Sequence, residues 1–258
     1  MQLLEVSDTP FHQLMFRSSG RGGQVKKVVL PFYKVWADLP PGLSSFVVTS
    51  DLQGRELDRR RNRLVGEVVA EEIALLSELG EIPEVNFALL AGDLYDYPDL
   101  HKLGGTGDVT SVWNAFASRV DSVVGVLGNH DTINPIDLAV NARVLDGTSC
   151  DVAGIKVGGV SGIIGSSNRN QRKPEEVFLK CLQNVTGSRN DIILLHQGPE
   201  DAVNNQVGSP SITDHLLREG RSIVLFGHTP WHKPYISVGD NQALNVDKRV
   251  YIICANIQ

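Results

Sequence analysis

Short apolar runs alternate with longer amphipathic stretches along most of this chain, and that alternation limits its fold more than any other feature. The runs that predict buried strands are 46–49, 87–91, 123–127, 192–195 and 222–226. The stretches with helical spacing of apolar residues are 65–76, 112–120, 174–185 and 213–219. Strands that alternate with helices predict an α/β fold in which helices cover both faces of the sheet structure.

The remaining segments predict further strands. Residues 1–45 hold two short apolar runs around the Gly-rich break at 18–24, a pattern typical of a strand pair with a turn. We expect a Gly-rich strand pair at 151–165 and antiparallel strands at 235–253. Neither a linker nor a repeat interrupts the chain. We therefore expect one domain over residues 1–258, with residues 1–45 as an N-terminal strand extension that carries no motif.

Composition narrows the function classes. The net charge of −6 disfavours a nucleic-acid partner, because an acidic surface repels phosphates unless it has a basic face. Three cysteines without paired spacing do not form a disulfide framework. The sequence shows neither a leader pattern nor an apolar run of the ~20 residues that a membrane span needs. We expect a cytoplasmic protein without a membrane partner.

Polar clusters directly follow the predicted strands. They read SDLQG at 50–54, GDLYD at 92–96, GNHD at 128–131, LLHQGP at 194–199 and GHTPWH at 227–232. Taken singly, Asp51 is best explained as a helix cap, a Gly-Asp pair as a turn, and His196 as a buried histidine. Ligands of open α/β sheets bind beyond the carboxyl ends of the strands, where all five clusters should meet. Their carboxylates, amide and imidazoles together favour a site for divalent Mn, Fe or Zn.

The ordered set resembles the calcineurin-like metallophosphoesterase superfamily, whose pattern is D-x-H, G-D-x-x, G-N-H-D/E, a lone His and G-H-x-H. The match spans residues 50–232. It implies a sandwich of two β-sheets flanked by helices, an αββα arrangement with the motifs at one edge. It also implies one or two divalent ions and a small phosphate-ester or nucleotide substrate.

The resemblance assigns a role to each motif residue. Asp93 would bridge two ions, and Asp51 would bind the second of them. The residues that would join Asp93 around the first ion are Asn129, His196 and His228. His130 would act as the proton donor near the scissile bond, with Asp96 orienting its ring. Two ions ~3.5–4 Å apart can clamp a phosphate and hold a hydroxide for in-line attack.

This sequence departs from the family pattern at two positions. Gln53 stands where the family has His, and Pro230 replaces the second His of the last motif. Both missing imidazoles would serve the ion held by Asp51, so we expect that ion to bind more weakly. Gln53 still offers an amide oxygen. His232 is a candidate replacement ligand, with a surface histidine as the equally plausible alternative.

Arg55, just after the first motif, is a candidate contact for a substrate phosphate. The leading hypothesis is hydrolysis of a phosphomonoester, a phosphodiester or a nucleotide. The alternative is a metal-binding scaffold for protein interactions, which the altered Gln53 and Pro230 favour and the retained His130 and Asp96 oppose. A nuclease is a third hypothesis, which the acidic charge disfavours.

Overall fold

A computed structural model describes residues 1–256 of the chain. In chain order the strands are β1 (Leu3–Val6), β2 (His12–Ser19), β3 (Val25–Ala37), β4 (Ser45–Thr49), β5 (Phe87–Leu90), β6 (Gly107–Asp108), β7 (Ser122–Gly125), β8 (Asp131–Thr132), β9 (Ala142–Val144), β10 (Thr148–Val152), β11 (Ile155–Val160), β12 (Ile163–Ile164), β13 (Arg172–Lys173), β14 (Ile192–Gln197), β15 (Ile223–Gly227), β16 (Tyr235–Val238), β17 (Asn241–Asn245) and β18 (Val250–Ala255). The helices are α1 (Val65–Glu78), α2 (Thr110–Ala117), α3 (Glu175–Gly187) and α4 (Pro210–Arg218).

Two large sheets form the centre of the fold. The first has the order β1-β3-β18-β4-β5-β7-β9, with β2 paired on β3. The second has the order β10-β11-β14-β15-β17-β16. Strands β4, β5 and β7 run parallel, as do β11, β14, β15 and β17. Each sheet therefore presents several strand carboxyl ends at one edge.

Side chains alternate between two cores along the central strands, because successive residues of a strand point to opposite faces. In β4, Phe46 and Val48 pack between the sheets, whereas Val47 faces helices α1 and α2. In β14, Leu194 lies between the sheets and Leu195 packs against α3 and α4. The molecule is thus a two-sheet sandwich with a helix pair outside each sheet, which confirms the predicted αββα architecture.

The C-terminal strands differ from the expectation. Antiparallel pairing at 235–253 holds only for β16 and β17. Strand β18 leaves that sheet and enters the first, where it runs parallel to β3 and antiparallel to β4. A turn at residues 246–249 makes this crossing possible, with Lys248 at a φ of 50° and the Arg249 N–H donating to Val246 O.

The N-terminal strand pair is present as predicted. Strands β2 and β3 form an antiparallel hairpin, and Gly22 and Gly23 at its tip have φ values of 70° and 74°. Strand β3 also pairs with β18, so this extension widens the first sheet. A helix of 18 or more residues apolar enough to cross a membrane is absent from residues 1–256.

Candidate metal centre

The five motif clusters converge at the edge where the carboxyl ends of strands from both sheets meet. Asp51 follows β4, Asp93 follows β5 and Asn129 follows β7 in the first sheet. From the second sheet, His196 lies at the end of β14 and His228 directly follows β15. The register that pairs Leu90 with Thr49 places the first two clusters side by side. The strand order of each sheet therefore brings these distant residues together.

The backbone at this edge adopts conformations that are uncommon for residues with a side chain. Asp51, Asp93 and His228 have φ values of 56°, 55° and 71°, in the left-handed region. Gly128 allows the loops to approach, since a Cβ there would lie 2.0 Å from Asp93 Oδ1 and 2.2 Å from the Asp93 nitrogen. Non-glycine residues in this region often mark functional sites, because surrounding structure must hold them there.

Three predicted ligands offer donor atoms to a common point. Atoms of Asp93, His196 and His228 all lie within 4.8 Å of one another. His196 Nδ1 donates to the carbonyl of Ala91 at 2.8 Å, which orients the ring so that Nε2 is the nitrogen available to a metal ion. That Nε2 lies 3.4 Å from Asp93 Oδ2. Burial, followed by the effect of His196, lowers the pKa of His228 to about 4, so its ring is neutral and able to ligate.

Two buried polar atoms at this point have no hydrogen-bond partner among residues 1–256. They are Asn129 Oδ1 and His196 Nε2. Buried polar atoms in proteins are nearly always paired, so each unpaired one requires an explanation. An amide oxygen and an imidazole nitrogen are both atoms that coordinate divalent cations. The residues present therefore fit a bound metal ion.

Three ionisable groups at this edge have raised pKa values, which indicates a local excess of negative charge. Burial raises the pKa of Asp51 to about 6 against the attraction of His196. Burial and then Asp93 raise the pKa of Asp131 to about 6. Burial alone would lower the pKa of His196, but Asp93 and Asp51 outweigh it and raise that pKa to about 10. Each shift favours gaining a proton, and a cation would satisfy the same need.

The family model described as calcineurin-like phosphoesterase matches residues 44–232, well over half of the chain. The chain belongs to the calcineurin-like phosphoesterase family. A solved structure of a hypothetical protein from Thermus thermophilus is similar to it with a TM-score of 0.46 and 14% identity, covering 78% of this chain and 75% of that chain. None of the curated proteins matches this chain.

The residues predicted to hold a second ion, Asp51 and Gln53, are engaged in hydrogen bonds with neighbouring residues. Asp51 Oδ2 accepts from Ser50 Oγ at 2.6 Å and from the backbone nitrogen of His228 at 2.8 Å. Gln53 is half-buried, and its Nε2 donates to Asp93 Oδ2 at 3.1 Å. Gln53 is thus beside the shared carboxylate, and ligation through its oxygen would need the amide turned by half a rotation. Pro230 is exposed.

The hydrogen bond predicted between Asp96 and His130 is not formed within residues 1–256. The Asp96 carboxylate instead accepts from Ser19 N, from Ser19 Oγ and from the nitrogen of Tyr97. His130 Nδ1 is buried without a partner, while the His130 backbone donates to Asp93 Oδ1 at 2.9 Å. The prediction missed Ser19 because it lies in β2, in the motif-free extension. Orientation of His130 by Asp96 would require the carboxylate to leave Ser19.

The two remaining candidates lie outside the ligand cluster. Arg55 is buried and donates to the carbonyls of Asp96 and Asn62, so its guanidinium holds loops together. Three of its five N–H groups are therefore engaged by backbone carbonyls. His232 is exposed and lines a groove with Tyr33, Tyr235 and other residues outside the five clusters. The structure therefore does not bring His232 to the missing ligand position.

Sequence reasoning overlooked the structural role of Asp131, the last residue of GNHD. It is fully buried, and its carboxylate accepts from the backbone nitrogens of Asp93, Leu94 and Gly128 at 2.7 to 2.9 Å. These bonds tie the second and third motifs together. Its place within the motif was the available signal. Asp247, also buried, was overlooked as well, and burial followed by Asp51 raises its pKa to about 8.

Proposed function

We propose that this protein hydrolyses a phosphate ester, either a phosphomonoester, a phosphodiester or a nucleotide. One observation carries the proposal. Donor atoms of Asp93, His196 and His228 all lie within 4.8 Å of one another, and the side-chain oxygen of Asn129, in the neighbouring motif, is buried without a hydrogen-bond partner among residues 1–256. Membership of the family supplies the reaction class.

The chain would hold one divalent ion with Asn129, His196 and His228, and a second with Asp51 and Gln53. Asp93 would be shared between them. Mn, Fe or Zn suits this mixture of oxygen and nitrogen donors. Divalent ions bound there would polarise a phosphoryl oxygen and make a water molecule acidic enough to attack near neutral pH.

His130 would supply the proton that the leaving oxygen needs. Its backbone is fixed by the bond to Asp93 Oδ1, so its half-buried ring stays beside the cluster. Its Nδ1 is not engaged by any residue among 1–256. Imidazole exchanges protons near neutral pH, which suits general acid catalysis.

Paired substrates test this function. Metal-free protein is assayed with p-nitrophenyl phosphate and bis(p-nitrophenyl) phosphate, before and after addition of Mn²⁺. We expect turnover of at least one of them that requires the ion. His196→Gln should abolish it, whereas the matched control His215→Gln should retain it, because His215 bonds to Thr186 outside the site. Tight Mn²⁺ binding without turnover of either ester would contradict hydrolysis and favour a metal-binding scaffold.

A further inference from the structure

Asp247 lies at the same strand edge as the motif residues, although it belongs to none of the five clusters. Strand β17 runs parallel to β15, and Asp247 comes two residues after its last residue, Asn245. Asp247 forms an isolated parallel bridge with Ser50, and the next nitrogen, of Lys248, donates to Ser50 O at 3.1 Å. Asp247 is therefore adjacent to the segment that carries Asp51.

The Asp247 side chain has no hydrogen-bond partner in the described part of the chain. The residue is only 3% exposed, and its Oδ1 is buried and unpaired. Asn129 Oδ1 and His196 Nε2, in the motif clusters, are likewise buried and unpaired. An unpaired buried carboxylate is costly unless it is neutralised or coordinates a metal.

Nearby cationic side chains do not fill this need. Arg249 donates to Asn245 Oδ1 and to the backbone carbonyls of Asp247 and Trp231. No described ion pair joins Lys248 or Arg249 to the Asp247 carboxylate. The strongest neighbouring charge is that of Asp51, which repels it. Two buried carboxylates on neighbouring segments thus form no ion pair with a Lys or Arg side chain among residues 1–256.

We propose that the Asp247 carboxylate completes the ligand shell of the cation at the Asp51 position, in place of the missing imidazoles at Gln53 and Pro230. This rests on the proposed function, since it assigns a further ligand to the same centre. The shell at that position then consists of oxygen donors from Asp51, Asp93, Asp247 and Gln53. Oxygen donors suit harder ions such as Mn²⁺ and Mg²⁺ better than imidazole does.

Calorimetric titration of metal-free protein with Mn²⁺ tests the assignment. The wild type should bind one ion tightly and a second more weakly. Asp247→Asn keeps the side-chain shape and removes the charge, and it should weaken the second event by at least about tenfold, the lower end of what outer-sphere partners contribute. The first event should be unchanged. Asp201→Asn is the matched control, because Asp201 is also buried but bonds to Asn204 and Gln206 in a separate loop.

The outcomes separate the two proposals. If Asp247→Asn binds both ions like the wild type, the Asp247 assignment is wrong and the proposed function stands. If the wild type binds no Mn²⁺ at all, the proposed function itself fails. Should the Asn variant not fold, Asp247→Glu shifts the oxygens by one methylene. A changed second event with an unchanged first then supports the assignment, and two unchanged events overturn it.

Discussion

The two ion positions proposed for this centre differ in the chemistry of their donor atoms. The histidine side, consisting of Asn129, His196 and His228, takes both imidazoles from strand ends of the second sheet. The oxygen side, consisting of Asp51, Gln53 and Asp247, has no imidazole. Asp93 lies between them, since its Oδ2 is near both His196 Nε2 and Gln53 Nε2.

This difference shows how one strand edge can offer two unequal positions. On the histidine side, the bond to Ala91 orients the His196 ring and burial keeps the His228 ring neutral, so two imidazoles are positioned for an ion. On the proposed oxygen side, burial raises the pKa of Asp51 to about 6 and that of Asp247 to about 8, so protons compete with an ion for these carboxylates. We therefore expect an ion to bind tightly on the histidine side and more weakly on the oxygen side.

The largest effect should follow loss of the shared carboxylate. Asp93→Asn is expected to lower kcat/KM by at least about 10³-fold, because charge stabilisation by both ions is worth several kcal/mol. Calorimetry should show that both binding events are weakened. Asp191→Asn, which alters a carboxylate bonded to Lys156 N away from the metal centre, is the matched control. Loss of only one binding event would remove Asp93 from the bridging position.

A smaller effect on turnover, without an effect on either metal position, should follow removal of the proton donor. His130→Gln is expected to lower kcat by about 10²-fold or more, the range of general acid catalysis. Metal content should stay at the wild-type level, because no predicted ligand atom is lost. His101→Gln, at an exposed position in the loop between β5 and β6, should leave both turnover and metal content unchanged. A variant that loses its metal but keeps its activity would reverse the assignment.

Much of this centre could be predicted because its residues follow strongly apolar strands. The alternation of strands and helices predicted helices outside the sheet structure and the meeting of the five clusters at carboxyl strand ends, whereas the two-sheet αββα arrangement followed from the family resemblance. Strand β18 was predicted as a strand, but the sheet that it joins was not predicted. Its apolar sequence is compatible with either sheet, and the turn at Lys248 that sends it to the first sheet has no Gly to mark it.

The remaining site residues escaped prediction because their partners are distant in the chain. Ser19 meets Asp96 across 77 positions, which only the pairing of the β2–β3 hairpin with the first sheet can bring about. Asp247 follows a strand like the motif residues do, but the pattern NVD resembles an ordinary turn. Arg55 directly follows the first motif, and its contacts with backbone carbonyls could not be predicted from that position.

Asp131, which holds the loops behind the histidine side, should contribute less to metal affinity than the ligands themselves. Asp131→Asn places an amide N–H₂ against at least one of the three backbone N–H groups that now donate to the carboxylate. The loops that carry Asp93 and Asn129 should then shift, and affinity for the tight ion should fall by about 10–100-fold, as for other groups behind metal ligands. Calorimetry measures this, with Asp137→Asn as an exposed control. Unchanged affinity would show that the loops are held by other contacts.

The smallest change tests the oxygen side by restoring what it lacks. Gln53→His returns an imidazole next to Asp93, and imidazole is normally a better donor to a transition metal than an amide oxygen. Gln53 is half-buried and its amide already contacts Asp93 Oδ2, so a ring of similar length can occupy its place. The weaker Mn²⁺ event should tighten by about tenfold, at the low end of contributions from groups around a metal.

The Gln53→His variant should also reduce the difference in metal affinity between the two sides. Zn²⁺ should gain more from it than Mn²⁺, because the new donor is a nitrogen. Gln24→His, at the exposed tip of the β2–β3 hairpin, adds a histidine elsewhere and should change neither event. If Gln53→His leaves the second event as weak as before, a missing imidazole is not what separates the two sides.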